Sequence, residues 1–301
     1  MAFDATAPEA PIARRSQWLF DWFCWYCTTY YLPGTFDAVR ISGSVPDTNL
    51  PGPHVFVMNH PSWWDPLIGL IASRFFPAMR PFAPIDKKAL DKYAFFGRLG
   101  LFGVDQNTIQ GAKSFLVSSK AILKNPNHSL WITVQGEFTD PRIRPVSVRP
   151  GAGHLLTNLE QGTLWPLVME FPFWEEAFPE ALLRFGEPVP LSRTSPGADK
   201  DWGEENPDPH THSSTYPSNP KPFSPKAWNA RIAKILERTM DDLARDAMTR
   251  DPARFATIIR GKSRVGGMFD RLRRMASFFT GNQFDPRHLV GTKDSDLDKD
   301  K

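Results

Sequence analysis

Asn59-His60-Pro61-Ser62-Trp63-Trp64-Asp65-Pro66 follows directly on the apolar run His54-Val55-Phe56-Val57-Met58. An imidazole leaving a buried strand, with a carboxylate at the next helix start, can draw the proton from a hydroxyl and make it a nucleophile. In a regular helix a five-residue offset puts two side chains on different faces. Contact therefore requires His60 in the turn and Asp65 at the cap. Asp65-Pro66 is a good helix start, because Asp suits the N-cap and Pro the first helical position. The cap favours the ionised carboxylate. Asp65 would then orient His60 and leave its other ring nitrogen to accept a proton. Of the seven histidines only His60 has an aspartate at this spacing. The bland alternative is a histidine and a capping aspartate that serve folding alone. The catalytic alternative points to an enzyme that acylates or esterifies an alcohol.

Positioning such a pair needs a rigid frame, and residues 36–190 supply the pattern of one. Short apolar runs alternate with helical stretches, which predicts an α/β fold with a mostly parallel sheet flanked by helices. Strands are expected at 54–58, 79–84, 101–105, 129–134, 163–170 and 181–187. Helices are expected at 66–74, 86–98, 108–124 and 151–160. For 108–124, Asn107 can cap with Gln110 three residues on. Ile109, Ala112, Phe115, Leu116, Ser119, Ile122 and Leu123 then fall on one stripe. A further helix near Ala227 carries Trp228, Ile232, Ile235, Leu236, Met240 and Leu243 on one face, suited to docking on the core.

At 301 residues the chain can bury one sizeable core and keep appendages. Its 41% hydrophobic and 23% charged content is that of a folded globular protein, while 29 prolines predict long irregular segments. A net charge of +3 is near neutral, so the location of basic residues matters more than their total.

The first 35 residues contain Trp18 to Tyr31, WLFDWFCWYCTTYY, with Arg14 and Arg15 just before it. This run is too short and too interrupted by Asp21 to span a bilayer, which takes ~20 apolar residues, and it lacks a signal-peptide cleavage site. Trp and Tyr favour the headgroup level and arginines suit anionic lipid, so the run reads as a membrane-contacting segment. Cover for the protein's own core remains open as the alternative. Cys24 and Cys27 have C-x-x-C spacing, without a second pair or histidines at metal spacing, and read as structural thiols of a reduced, intracellular chain.

Residues 191–226 form a Pro/Ser-rich linker or loop, and its His210 and His212 read as solvated rather than ligating. Residues 227–290 comprise the helix and a basic amphipathic region. Arg250 to Arg274 sets eight basic side chains against two aspartates, with Phe269, Met275, Phe278 and Phe279 close by. No nucleic-acid motif accompanies them, so lipid is the expected partner and nucleic acid is not. Residues 291–301 read as a disordered tail.

Asn-His-x-x-x-x-Asp after a buried strand resembles the first block of the glycerolipid and lysophospholipid acyltransferases, the 1-acylglycerol-3-phosphate acyltransferase-like superfamily. Leu101 to Gln106 resembles the second block, Trp131 to Glu137 the third, and Leu164 to Val168 the fourth, with Pro166 on a buried strand that helps close the site. Arg149-Pro150-Gly151-Ala152-Gly153 fits the small-residue helix start between the last two. The resemblance covers about residues 36–190. It implies an acyltransferase-like fold and direct acyl transfer from acyl-CoA or acyl-ACP to a lipid hydroxyl, on the cytoplasmic side of a membrane as a peripheral protein. No cofactor or catalytic metal is implied. His60 and Asp65 become the catalytic pair. Asn59, Ser62, Gln106, Gln135, Gly136, Glu137, Arg142 and Pro166 become substrate-binding residues.

Two blocks depart from the family pattern. Gln106 stands where family members that bind glycerol phosphate usually carry arginine, which removes a bidentate phosphate partner. Gln135-Gly136-Glu137 puts the acid of the third block after its glycine rather than before. Arg142, Arg144 and Arg149 either replace the phosphate contacts or form a solvated basic loop. A lysophospholipid is thus one acceptor, and a neutral or glycosylated lipid alcohol such as a glycolipid or carotenoid glycoside is the other. A non-catalytic lipid-binding protein is a second class. A serine hydrolase is a third, against which stands the absence of any G-x-S-x-G elbow.

Overall fold

A computed structural model describes residues 9–46, 50–192 and 223–262. Most of the 191–226 segment with His210 and His212, the basic stretch past Lys262 and the tail lie outside the described residues. The protein is α/β, built on a nine-stranded mixed sheet in which most neighbours run parallel. Its strands are β1 (Ala38–Ser42), β2 (His54–Met58), β3 (Arg80–Asp86), β4 (Leu101–Val104), β5 (His128–Thr133), β6 (Gln161–Glu170), β7 (Glu180–Phe185), β8 (Val189–Ser192) and β9 (Phe255–Arg260). They lie in the order β4-β3-β5-β2-β6-β7-β1-β9, with β8 also paired to β6. The antiparallel exceptions are β6 with β7, β6 with β8, and β1 with β9.

Both faces of a parallel sheet must be covered, and the strand sequences answer to that. Successive side chains point to opposite faces, and all five residues of β2 are buried. Val55 and Val57 join Leu130, Ile132, Leu164 and Val168 on one face. That face is covered by α5 (Ile109–Leu123), α6 (Pro150–Thr157) and α7 (Pro225–Met248). Phe56 and Met58 join Trp131, Trp165, Leu167 and Met169 on the other, beneath α2 (Gln17–Tyr26) and α3 (Asp65–Ala72). Register stacks three aromatic rings across adjacent strands: Phe56 lies 3.9 Å from Trp131 and 6.0 Å from Trp165. Two further short helices among the described residues are α1 (Ala10–Arg14) and α4 (Lys87–Lys92).

The predicted strands are present within a few residues, but β1, β8 and β9 were not anticipated. Two helix caps also differ from expectation. Thr108, not Asn107, caps α5, its hydroxyl accepting from the Gly111 N–H at 3.0 Å. In the α5 stripe Phe115, Ser119, Ile122 and Leu123 are buried and Leu116 is half-buried, whereas Ile109 and Ala112 are exposed. Asp65 is the first residue of α3 rather than its cap, and Trp64 before it makes no side-chain cap. The Asp65 carboxylate is directed instead to the turn that precedes it.

Pro166 sits inside a buried strand without breaking it. β6 pairs with β8 up to Leu164 and with β7 from Leu167. At the changeover the Pro166 carbonyl accepts from Gly186 N–H at 3.0 Å.

No helix among the described residues is long and apolar enough to cross a membrane. The N-terminal aromatic run folds as α2 followed by a π-turn (Cys27–Tyr31). Phe20, Cys24 and Cys27 point into the core, while Trp18, Trp22, Trp25, Tyr26 and Tyr30 stand exposed. Burial pushes the Cys24 thiol up to about 11 and the Cys27 thiol up to about 12.

Candidate functional site

The site assembles where parallel strands end, the usual position of ligand crevices in open α/β sheets. β2 releases the chain at Met58, and the next residues form a tight turn before α3. Asn59 is buried and anchors that turn: its amide nitrogen donates to the Met169 carbonyl at 3.0 Å and its oxygen accepts from Met169 N–H at 2.9 Å. This ties the exit of β2 to the end of β6. Asn59 therefore holds backbone in place rather than facing a ligand.

His60 Nδ1 and Asp65 Oδ2 lie 2.8 Å apart, and the same oxygen accepts the Ser62 N–H at 3.0 Å. Asp65 is fully buried and the His60 side chain is 15% exposed. Burial pushes the Asp65 carboxyl up from its ordinary value, while the hydrogen bonds from His60 and Ser62 pull it down. Its second oxygen is buried with no partner among the described residues. With Nδ1 donating to Asp65, the Nε2 lone pair is the open end of the imidazole, and no partner occupies it among the described residues. A buried carboxylate at this distance stabilises the imidazolium that forms when Nε2 takes a proton.

The segment after β5 folds along the same turn. Val134 N–H donates to the Met58 carbonyl, the Gln135 side-chain oxygen accepts His60 N–H at 2.7 Å, and Thr139 N–H donates to the His60 carbonyl. Gln135 is buried, so the side chain expected to bind substrate instead fixes the backbone of His60. Gly136 has φ 69, and a Cβ there would stand 2.3 Å from Arg149 Nε. Only glycine fits this left-handed position beneath the arginine. The Arg149 guanidinium donates onward to the Gln106 carbonyl at 3.1 Å, joining the segments that follow β4 and β5.

Glu137 and Gln106 are exposed beside this junction. Arg142 is exposed and forked onto Asp140, which holds that carboxyl well below its ordinary value. Arg144 is drawn away to Asp241 on α7 at 2.8 Å. α7 also braces the loop through Glu237, which accepts Val146 N–H at 2.7 Å. The structure thus brings His60, Asp65, Ser62, Gln135 and Gly136 together, with Glu137 and Gln106 at the rim. Pro166 is buried three register positions below His60.

Sequence reasoning missed Phe138, whose exposed ring stands 4.6 Å from the His60 ring. An aromatic next to the third block was the available signal. Trp64 was also missed as a bridge: it packs on Phe36 at 5.2 Å and Tyr31 at 5.9 Å, linking the turn that carries His60 to the aromatic N-terminal run. An apolar recess of about 50 Å³ lies between β2, α3, β3 and β5, lined by Met58, Pro66, Leu70, Phe82 and Trp131. Gly69 of α3 lets the helix approach, since a Cβ there would meet Met58 Sδ at 3.0 Å.

Among the described residues no group of three or more His, Cys, Asp or Glu side chains is disposed to hold a metal ion. Compared with known proteins, the chain matches no family model and no curated protein sequence.

Proposed function

We propose that this chain is an acyltransferase working at a membrane surface, moving a fatty acyl group from a coenzyme A or carrier-protein thioester to the hydroxyl of a lipid. The observation that carries the reading is the 2.8 Å contact of His60 with buried Asp65, which leaves Nε2 open at the carboxyl end of a central parallel strand. The four ordered blocks that resemble the glycerolipid acyltransferases support the class, and the expected acyltransferase-like fold rests on the same resemblance.

In the proposed reaction the acceptor hydroxyl donates to Nε2. As its oxygen attacks the thioester carbonyl, the proton passes to Nε2 and Asp65 favours the cation. The tetrahedral intermediate collapses, the C–S bond breaks, and the leaving sulfur takes the proton back from the imidazolium. Ester and free thiol result, with no acyl-enzyme. The narrow apolar recess beside α3 is the natural place for the first carbons of the acyl chain. A longer chain needs its lining side chains to turn aside.

Membrane attachment is supported by Trp18 (72% exposed), Trp25 (52%) and Tyr30 (50%) on one run of chain, joined to the catalytic turn through Trp64. Exposed Trp and Tyr of this kind suit the headgroup level. A second reading of the acceptor, a neutral or glycosylated lipid alcohol rather than a lysophospholipid, is favoured by the arginines. Arg142 and Arg144 are engaged with Asp140 and Asp241, and Gln106 brings no charge.

Incubation with a labelled acyl thioester and a mixed lipid extract, followed by identification of the labelled product, tests the proposal. Labelled ester and free thiol that both require lipid acceptor and His60 are expected. Liposome binding without thiol release under any acceptor would point to a binding protein, and thiol release needing no acceptor to a hydrolase.

A further inference from the structure

On the same face of the sheet as α2 and α3, away from His60, a recess of about 510 Å³ opens between the π-turn, the end of α3 and β9. Its polar lining is Thr28, Thr29, Arg74, Arg260 and Lys262, and among the described residues no carboxylate lines it. Its floor is apolar, from Ile71 and Ile258. Arg74 meets Asp21 at 3.5 Å just outside, in a pair about half exposed, which solvent screens. The Lys262 backbone N–H is held by the Pro33 carbonyl at 2.7 Å, and its ammonium lies 5.7 Å from the centre of the Tyr30 ring. Tyr30 in turn packs against Trp25 at 5.5 Å. The Thr28 hydroxyl proton is spent on the Cys24 carbonyl at 2.9 Å, so the charge-assisted donors here come from the three cations.

Three cations over an apolar floor, at the foot of an exposed Trp/Tyr face, match one ligand: a phosphate group carried at the end of hydrocarbon. We infer that this recess binds the headgroup of an anionic phospholipid, with Arg74, Arg260 and Lys262 on the phosphate and the aromatic face among the neighbouring lipids. The inference rests on the membrane-surface part of the proposed function and not on its chemistry. It assigns to named side chains a preference for anionic over zwitterionic membrane. Cations at the surface of such a leaflet each add to binding and lose their effect within a Debye length.

The test uses the full chain and two vesicle preparations, pure phosphatidylcholine and roughly two parts phosphatidylcholine to one part phosphatidylglycerol. Co-sedimentation of the native protein should favour the anionic vesicles about tenfold or more. The double reversal Arg260→Glu with Lys262→Glu should remove that preference and keep neutral-vesicle binding. Arg74→Gln with Lys262→Gln, a milder pair, should reduce it part way and guards against misfolding by the reversal. Lys120→Glu with Lys124→Glu changes the charge equally on α5, which covers the opposite face of the sheet, and should leave the preference intact. Equal loss from the α5 pair would mean bulk charge and overturn the site. So would relief of binding by millimolar inorganic phosphate, which would make the ligand free phosphate rather than lipid. Native protein that binds both vesicles equally refutes the headgroup site and leaves the aromatic attachment standing. Binding to neither vesicle removes the membrane reading itself, and the headgroup site with it.

Discussion

Two buried acids meet basic partners at the same end of the sheet, where β2 finishes and β7 begins, and they are built for different purposes. Glu180, at the start of β7, accepts a fork from Arg40 at 2.9 and 3.2 Å, and Arg40 donates further to the Thr257 hydroxyl at 2.8 Å. That cluster joins β7, β1 and β9, and its hydrogen-bonding capacity is used among these strands. Asp65 instead concentrates two hydrogen bonds on one oxygen and leaves the other without a partner, while His60 keeps Nε2 open. A satisfied pair holds strands together. A pair with an unused nitrogen at its open end can still take a proton. The contrast lies in what surrounds each pair, since burial of the carboxylate is nearly the same.

The largest expected effect is on the open pair. His60→Ala should cut acyl transfer by about 10²–10⁴ with the fold unchanged by circular dichroism, the range expected for positioned general-base catalysis. Asp65→Ala should lose at least the lower figure. Near-full turnover of His60→Ala with a confirmed acceptor would erase the distinction between the two pairs. At the closed pair the deficit should appear in stability. Arg40→Ala leaves Glu180 buried without its partner and should cost about 3–5 kcal/mol in chemical denaturation, with turnover per folded molecule preserved. A stable but inactive Arg40→Ala would show that the edge cluster takes part in the chemistry.

Gln135→Ala probes how far the backbone of His60 must be held. Losing the acceptor for a buried N–H costs about 1–3 kcal/mol, and turnover should fall about tenfold if that loss displaces His60. A change in KM alone would instead make Gln135 a substrate contact. The smallest effect concerns Cys24 and Cys27, which belong to neither pair. Their thiols are pushed above an ordinary value of 9.0 by burial, to about 11 and about 12. The unfolded chain therefore releases these protons first. Stability they contribute below pH 9.0 is lost as pH rises through about 11 for Cys24 and about 12 for Cys27, and native protein at neutral pH should resist alkylation until unfolded. Rapid labelling of the native thiols would show that the underside of α2 opens.

Much of the frame was legible because buried parallel strands and amphipathic helices write their burial into local pattern. His54–Met58 is wholly apolar apart from its first residue, and all five side chains are buried. Trp228, Ile232, Ile235, Leu236, Met240 and Leu243 recur at helical spacing and face the core from α7. The strands that escaped notice lack such a pattern. β8 is four residues with an internal proline. β9 is an edge strand in which only Phe255 and Ile259 are buried, and its partner β1 is more than 200 residues away in sequence. The cap of α5 fell to Thr108 rather than Asn107 because either side chain suits the task and only the path of the chain chooses between them.

By itself, then, the sequence determined which residues could form the pair, that His60 would leave a buried strand, and that small residues would follow β5, because each of these depends on neighbours along the chain. Only the tertiary structure decided that Asn59 and Gln135 hold the turn, that Arg149 rather than Arg142 reaches across to Gln106, and that Trp18, Trp22 and Trp25 face outward. Those outcomes turn on which partner comes within hydrogen-bonding distance from a remote strand or loop. A polar side chain forms the bond that desolvation makes costly to leave unmade, and local sequence carries no record of that choice.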